Sequence, residues 1–154
     1  MVIRPAKPEE AHLLSALALR SKAYWGYSAE FMRLCKDELN WSADQIAASA
    51  FTFVVAERHH QIVGFYAVEL ISDKEFELEA LFVEPSHIGT GVGRTLIEHA
   101  KSTVVGLGGH ILLIQGDPHA EQFYLAAGGQ LVGYRASQSV PGRQLPLFKI
   151  VLLD

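Results

Sequence analysis

Three glycines alternate with other residues just before a helical pattern in "HIGTGVGRTLIEHA", residues 87–100. Gly89, Gly91 and Gly93 permit backbone conformations with positive φ and let a ligand come close to the main chain. The first N–H groups of the following helix have no partner inside that helix, and the helix dipole adds partial positive charge there. Together these features predict a phosphate-binding turn. A flexible loop without a ligand is the alternative.

Two other phosphate-binding loops do not fit these residues. A Rossmann turn requires the spacing G-x-G-x-x-G, but the sixth residue counted from Gly89 is Arg94, and the sixth from Gly91 is Leu96. A Walker A loop requires Gly-Lys followed by Ser or Thr, which the sequence does not contain. The predicted turn is therefore of a different kind.

Residues able to exchange protons occur on both sides of this turn. Glu75, Glu77 and Glu79 alternate along a strand-like segment, which puts their carboxylates on one face. Tyr124 lies in a helical segment, and a phenol with an ordinary pKa of about 10 is a proton donor at neutral pH. Each has a structural alternative: an exposed acidic face for the glutamates and a core position beside Phe123 for the tyrosine.

The elements that must position these residues follow from the hydrophobic periodicity. Their predicted order is β-α-α-β-β-β-α-β-α-β-β, a mixed α/β sheet with helices on both faces. Strands are predicted at 2–6, 52–58, 62–70, 75–85, 110–115, 130–137 and 144–153. Helices are predicted at 8–25, 28–40, 91–108 and 118–128, with a further short helix at 42–50.

Composition narrows the classes of function. The 154 residues suit one domain, and 49% hydrophobic with 19% charged residues is typical of a soluble globular protein. A net charge of −4 disfavours a nucleic-acid partner.

The sequence lacks a long apolar run or a signal core, so we expect a cytoplasmic location and no membrane partner. Cys35 is the sole cysteine, and we expect a partly buried structural thiol. No histidine pair has metal-ligand spacing, so no metal is expected.

Two motifs together resemble the GNAT superfamily of acetyl-CoA-dependent N-acetyltransferases. The glycine turn resembles the acyl-CoA signature Q/R-x-x-G-x-G/A over residues 88–93, with Ile88 in place of Gln or Arg. The segment "DPHAEQFYLAAGG", residues 117–129, resembles the block N-x-x-A-x-x-h-Y-x-x-x-G-F, with Asp117 and Gly129 as departures. The order of elements also follows the family, so the resemblance spans nearly the whole chain.

The resemblance implies a fold and a cofactor. A single domain over residues 1–154 would have a twisted, mixed, mostly antiparallel sheet of about six to seven strands, splayed between strands 4 and 5. Acetyl-CoA, the co-substrate, would enter that splay and be bound by backbone or side chains of three segments. These are Leu81, Phe82 and Val83; Ile88, Gly89, Thr90, Gly91, Val92, Gly93 and Arg94; and Asp117, Ala120 and Phe123.

The resemblance also implies catalytic roles. Tyr124 would protonate the departing CoA thiolate, and an N–H near Leu81 would polarise the acetyl carbonyl. Glu79, or Glu77 as the second choice, would accept the proton of the amine, unless solvent accepts it. Strand alternation puts both carboxylates on the same face as Leu81, and a bulge would change that parity.

The acceptor groove in this family is bordered by the first two helices and the last strand-to-strand loop. Tyr24, Trp25 and Tyr27 lie at the first place, where they would stack on a ligand or cap the core. Arg143 lies in the last loop, where it would clamp an acidic small amine or remain plain surface charge.

The leading hypothesis is therefore an N-acetyltransferase for a small-molecule amine. Acetylation of a protein amine is a variant of it, and a non-catalytic acyl-CoA-binding sensor is the alternative from another class. Dimers are common among such enzymes, so a homodimer is an expectation as well.

Overall fold

One seven-stranded sheet forms the centre of the molecule, in a computed structural model that describes residues 1–153. The strands are β1 (Val2–Pro5), β2 (Phe51–Arg58), β3 (Gln61–Ser72), β4 (Glu75–Val83), β5 (Ile111–Gln115), β6 (Gln130–Ala136) and β7 (Gln144–Val151). The helices are α1 (Ala11–Ala23), α2 (Ala29–Cys35), α3 (Ala43–Ala47), α4 (Val92–Gly106) and α5 (Glu121–Ala126).

The strand order in the sheet is β1-β2-β3-β4-β5-β7-β6. Every neighbouring pair is antiparallel except β4 and β5, which are parallel. The prediction of a mixed, mostly antiparallel sheet covered by helices on both faces is confirmed.

Helices α1 to α3 cover one face of the sheet. Leu14 and Leu17 of α1 are fully buried there against Phe65 of β3, in a cluster that also includes Cys35. The Ser15 hydroxyl accepts a hydrogen bond of 2.9 Å from the backbone N–H of Trp41, which fixes the chain before α3 against α1. Helix α2 is much shorter than the predicted 28–40, because after Cys35 the chain continues in turns.

Helices α4 and α5 cover the other face. The buried side chains of α4 are Val92, Leu96, Ile97, Ala100 and Val104, the face predicted from periodicity. Both helices end in a left-handed glycine: Gly108 follows α4 with φ of 89° and Gly128 follows α5 with φ of 100°. In each case the next N–H bonds a carbonyl of the last helical turn, which is the Schellman arrangement.

The pairing of β4 with β5 stops halfway along β4. The parallel register runs only from Glu75 with Ile111 to Leu78 with Ile114, yet β4 continues to Val83. The two strands therefore separate beyond Leu78, as the predicted splay between strands 4 and 5 requires.

A β-bulge lies where the two strands separate. On the β3 side, Ala67 pairs with Ala80 whereas Val68 pairs with Leu78, which leaves Glu79 as the extra residue. Leu81 consequently packs in the same cluster as Leu78. The expectation that the glutamates share the face of Leu81 is wrong, since the bulge reverses the alternation after Leu78.

Among residues 1–153, no helix has the length and hydropathy needed to cross a lipid bilayer.

Gly64 of β3 sets the distance between the sheet and α4. A Cβ at this position would lie 2.9 Å from Val92 Cγ1 and 3.0 Å from the carbonyl oxygen of Phe82. Gly64→Ala is therefore expected to lower the free energy of unfolding by about 1–3 kcal/mol through overpacking. Chemical denaturation measures this change.

Gly106→Ala is the matched control. A Cβ there would meet no atom within 4 Å. Its expected effect is neutral or a gain of up to about 1 kcal/mol, because alanine is the better helix former. Equal destabilisation by both changes would contradict the close packing at Gly64.

Candidate active site

A groove of about 510 Å³ opens where β4 and β5 separate. Its walls come from the residues of β4 after the bulge, from the turn before α4, from the chain after β5 together with α5, and from the end of α1. The lining residues are Ser21, Lys22, Trp25, Glu38, Leu39, Trp41, Leu78, Glu79, Ala80, Leu81, Phe82, Val83, Ile88, Gly89, Gly91, Gly93, Arg94, Gln115, Gly116, Asp117, His119, Ala120, Phe123, Tyr124 and Leu145.

The glycine turn at one end of the groove has the backbone that its sequence predicts. Gly89 and Gly91 have φ of 83° and 91°, in the left-handed region that a side chain would strain. Gly91 is the N-cap of α4. A Cβ on Gly93 would lie 3.3 Å from the ring of Phe123, so this glycine lets α4 and α5 approach each other.

Free amide groups collect at this turn. Within residues 1–153, the N–H groups of Gly89, Gly91, Val92, Gly93 and Arg94 have no hydrogen-bond acceptor. Unpaired amides at a helix N-terminus favour an anion through both their hydrogen bonds and the helix dipole. The turn is therefore able to bind a phosphate group without any net positive charge on the protein.

The second half of β4 offers an unpaired strand edge to the groove. The N–H of Glu84 bonds the carbonyl of Val63 on the β3 side. Because backbone groups point to alternate sides along a strand, the N–H groups of Leu81 and Val83 point away from β3, into the gap left by β5. An extended ligand can bond this edge as a neighbouring strand would.

Tyr124 lies across the gap from this edge. Its ring is packed against Phe148 and Phe123, at centroid distances of 5.8 and 5.1 Å. Gly116 makes room for it, since a Cβ there would lie 3.0 Å from the ring. The hydroxyl bonds no group of residues 1–153, although the side chain is buried and lines the groove. Burial, followed by the charge of Asp117, raises the pKa of Tyr124, so the phenol stays protonated.

Three carboxylates meet at the bulge. Glu69 of β3 is directly opposite Glu77 of β4, and Glu79 lies next to both. Arg135 Nη1 donates to Glu77 Oε1 at 2.8 Å and offsets one of the three charges. Glu79 is open to the groove, yet the groove walls crowd it. This desolvation, followed by hydrogen bonding to Glu77 and the charges of Glu77 and Glu69, raises the pKa of Glu79 to about 8.

Asp117 is the centre of a half-buried ionic cluster at the opposite wall. It accepts hydrogen bonds from the Tyr27 hydroxyl at 2.8 Å, from the His119 backbone N–H at 2.9 Å and from Lys22 Nζ at 3.2 Å. Burial would raise the pKa of Asp117, but these donors and the Lys22 charge lower it to about 2. Asp117 is therefore a carboxylate at neutral pH.

Arg143 belongs to the same cluster. Its Nη2 donates to the Tyr27 hydroxyl at 2.7 Å, and its guanidinium lies 4.8 Å from the ring centre of Phe31. It is neither plain surface charge nor a free cation facing the groove. Binding an acidic acceptor would require Arg143 to leave these partners.

The groove brings together most of the residues that the sequence singled out. The predicted residues that line the groove are Tyr124, Glu79, Leu81, Phe82, Val83, Ile88, Gly89, Gly91, Gly93, Arg94, Asp117, Ala120, Phe123 and Trp25. Six predicted residues do not line the groove. Val92 is in the core and Tyr24 is exposed. The side chains of the other four form hydrogen bonds with other residues; these are Thr90, Glu77, Tyr27 and Arg143.

Several lining residues were not anticipated from the sequence. Trp41, Glu38 and Lys22 come from segments whose sequence has no motif. Gly116 follows a strand and precedes the tyrosine block, and a glycine at that place is a usable signal of close approach.

Comparisons with known proteins agree on one family. A family model described as an acetyltransferase (GNAT) domain matches residues 18–139. The peptidyl-lysine N-acetyltransferase YjaB of Escherichia coli (strain K12) is 30% identical over 150 residues, which cover 96% of this chain and 94% of that protein.

Solved structures show the same fold. A GCN5-related N-acetyltransferase from Rhodopseudomonas palustris has a TM-score of 0.79 at 22% identity, covering 97% of this chain and 94% of its own. The PaiA N-acetyltransferase from Thermoplasma acidophilum, in complex with coenzyme A, has a TM-score of 0.78 at 20% identity, covering 97% and 98%. The chain therefore belongs to the GNAT family of N-acetyltransferases and is an acyltransferase.

Proposed function

We propose that this protein transfers the acetyl group of acetyl-CoA directly to a primary amine. The observation that carries the proposal is one groove that contains an anion-binding turn, an unpaired strand edge, a phenol without a partner and a carboxylate of raised pKa. Transfer of an acetyl group from a thioester to an amine needs each of these features. They follow one another along the groove, from the end that would bind the coenzyme to the end that would bind the acceptor.

The shape and the donors of the groove fit the coenzyme. The free amides of residues 89–94 would hold its diphosphate, and the edge of β4 at Leu81 and Val83 would bond its extended arm. Ile88 adds an apolar wall in place of a polar side chain, so the backbone supplies the hydrogen bonds at this position. Arg94 faces the groove beside these amides.

The residues around the gap divide the chemistry. Glu79 takes a proton from the acceptor ammonium, which frees the nitrogen lone pair to form the new C–N bond. The N–H of Leu81 points into the gap and stabilises negative charge on the acetyl oxygen. Tyr124 donates its proton to sulfur as the C–S bond breaks. The nitrogen loses its second proton to solvent, and solvent restores both the phenol and the Glu79 carboxylate. The products are an N-acetyl amine and free CoA.

The charge of the acceptor end favours an amine that carries positive charge. Glu38 and Glu79 face the groove there, whereas the cations Lys22 and Arg143 are paired with Asp117. The acceptor is a small amine or a lysine side chain of a protein; the E. coli relative, named for peptidyl-lysine acetylation, favours the second. A non-catalytic sensor would not require the free phenol of Tyr124.

An amine panel tests the charge preference. With acetyl-CoA fixed, diamines and lysine peptides are expected to have at least about tenfold lower KM than glutamate or aspartate, because the Glu38 carboxylate, joined by Glu79 above about pH 8, attracts the former and repels the latter. Release of CoA thiol measures the rates. If the wild type preferred acidic amines and Arg143→Ala lost this preference, the expectation would be contradicted. Arg143 would then bind the carboxylate of the acceptor.

Tyr124→Phe tests the proton donor. The variant is expected to lower kcat by about 10²–10⁴-fold, the usual contribution of a general acid, with both KM values unchanged. The ring packing is retained and the hydroxyl has no hydrogen-bond partner among residues 1–153, so thermal stability should be unchanged. Tyr134→Phe, on the exposed edge strand β6, is the matched control. Thiol release at the wild-type rate by Tyr124→Phe would remove this residue from the mechanism.

Glu79→Gln tests the base through its pH dependence. In the wild type, kcat/KM for the amine should rise with pH through about 8, because Glu79 accepts a proton only after losing its own. The variant should lack this inflection and show only the alkaline rise from the amine itself. The pKa of Glu79 is about 8 in the folded protein and about 4.3 in the unfolded chain, so the wild type loses stability as the pH rises between these two values. Glu79→Gln lacks this loss and should therefore unfold at a higher temperature than the wild type at pH 8 and above.

Glu77→Gln is the companion measurement. Glu77 bonds Arg135 and does not line the groove, so its substitution should keep the inflection and move it to lower pH by removing a neighbouring charge. If Glu77→Gln abolished the inflection and Glu79→Gln kept it, the two roles would be exchanged.

A further inference from the structure

Arg58 contacts the glycine turn from outside the groove. It is the last residue of β2, far from the turn in sequence and outside both motifs. Its Nη1 donates to the hydroxyl of Thr90 at 2.8 Å, and its Nη2 donates to the carbonyl oxygen of the same residue at 3.2 Å. One guanidinium thus holds both oxygens of the residue between Gly89 and Gly91.

The bond to the carbonyl matters for the polarity of the turn. An anion site must present N–H groups and keep carbonyl oxygens away, since a carbonyl dipole repels a phosphate. The glycines on either side of Thr90 allow many orientations of the two adjoining peptide planes. Arg58 fixes the Thr90 carbonyl towards β2, which leaves the amides of Gly91 and Gly93 free.

The bond to the hydroxyl closes the turn on its other side. Thr90 Oγ1 donates to the carbonyl oxygen of His87 at 2.6 Å, and the Thr90 N–H bonds the same oxygen at 3.3 Å. His87 Nδ1 lies 3.4 Å from Arg58 Nη1. The turn is therefore held by a chain of hydrogen bonds that begins at Arg58 and ends at His87, in the short segment between β4 and the glycines.

The backbone of Arg58 is itself well fixed. Arg58 is paired in register with Gln61, and only His59 and His60 connect β2 to β3. Both histidines have positive φ, of 52° and 63°, as a tight two-residue hairpin with the native twist requires. The guanidinium therefore extends from a rigid support.

No carboxylate of residues 1–153 lies within 4.0 Å of Arg58. Arg4, by contrast, has two such partners, and Arg20, Arg135 and Arg143 have one each. Its hydrogen bonds to Thr90 are therefore charge-assisted, and its positive field adds to that of the helix N-terminus.

We propose that Arg58 is a positioning residue for coenzyme binding, acting through Thr90 to orient the amides of the glycine turn. The inference rests on the proposed function, because it assumes that this turn receives the diphosphate. Arg58 contacts the turn and not the coenzyme, so its effect should extend to any ligand with that diphosphate and should depend on Thr90.

Calorimetry with CoA and with dephospho-CoA, which lacks the 3′-phosphate, tests this proposal. Arg58→Gln should weaken both ligands by the same factor, about tenfold, the usual effect of losing a charge-assisted hydrogen bond. The KM for acetyl-CoA should rise in parallel, with kcat and the KM for the amine unchanged. Loss of affinity for CoA alone would instead show direct contact with the 3′-phosphate and would overturn the positioning role.

A double-variant cycle with Thr90→Val tests the route. If Arg58 acts through Thr90, the factor lost on Arg58→Gln should be smaller in the Thr90→Val background. Thr90→Val removes the hydroxyl bond and keeps the carbonyl bond, so equal factors in both backgrounds would show that Arg58 acts through the Thr90 carbonyl alone. Arg33→Gln, the same change on exposed α2, is the matched control and should bind CoA as the wild type does. If Arg58→Gln bound CoA as tightly as the wild type does, the role of Arg58 would be refuted and the proposed function would stand. If the wild-type protein bound no CoA, the proposed function itself would be refuted.

Discussion

The early end of the β4–β5 pairing is the constraint on which the rest of the site depends. Parallel strands normally bond along their whole common length, so a pair that separates after Leu78 leaves strand edges without partners. Unpaired backbone groups are tolerated where solvent or a ligand can bond them. The separation thus creates both the groove and its main hydrogen-bonding surface, and the bulge at Glu79 aims a carboxylate into it.

The two ends of the groove have opposite electrostatic character. At the glycine end, the groove is lined by backbone amides and by Arg94. Arg58 contacts the same turn from the side away from the groove. The far end has the Glu38 carboxylate and the Glu79 carboxyl group, which becomes charged as its proton leaves near pH 8. An anionic coenzyme and a cationic amine would each be drawn to the end that suits it, and the thioester would lie between them. This polarity arises locally, and the net charge of −4 does not reveal it.

Close packing at small residues fixes Tyr124 and the walls of the groove. Gly116 lets the ring of Tyr124 approach the chain after β5, and Gly93 lets α4 approach Phe123. The Asp117 cluster fixes the end of α1 and the β6–β7 loop to the same wall through Lys22 and Arg143. Ionic clusters of this kind contribute little net stability, but they define one arrangement of the loops that carry them.

The sequence alone determined the elements, the mixed sheet and the nature of the glycine turn, because periodicity and glycine placement are local properties. The family resemblance added the splay and the role proposed for Tyr124. Only the tertiary structure decided what Glu79, Arg143 and Arg58 contact. A bulge reverses strand parity without any mark in the strand's own residues, and an arginine's partner lies wherever the fold brings the opposite charge or carbonyl. Side-chain partners distant in sequence are fixed by the packing of whole elements, which no short segment encodes.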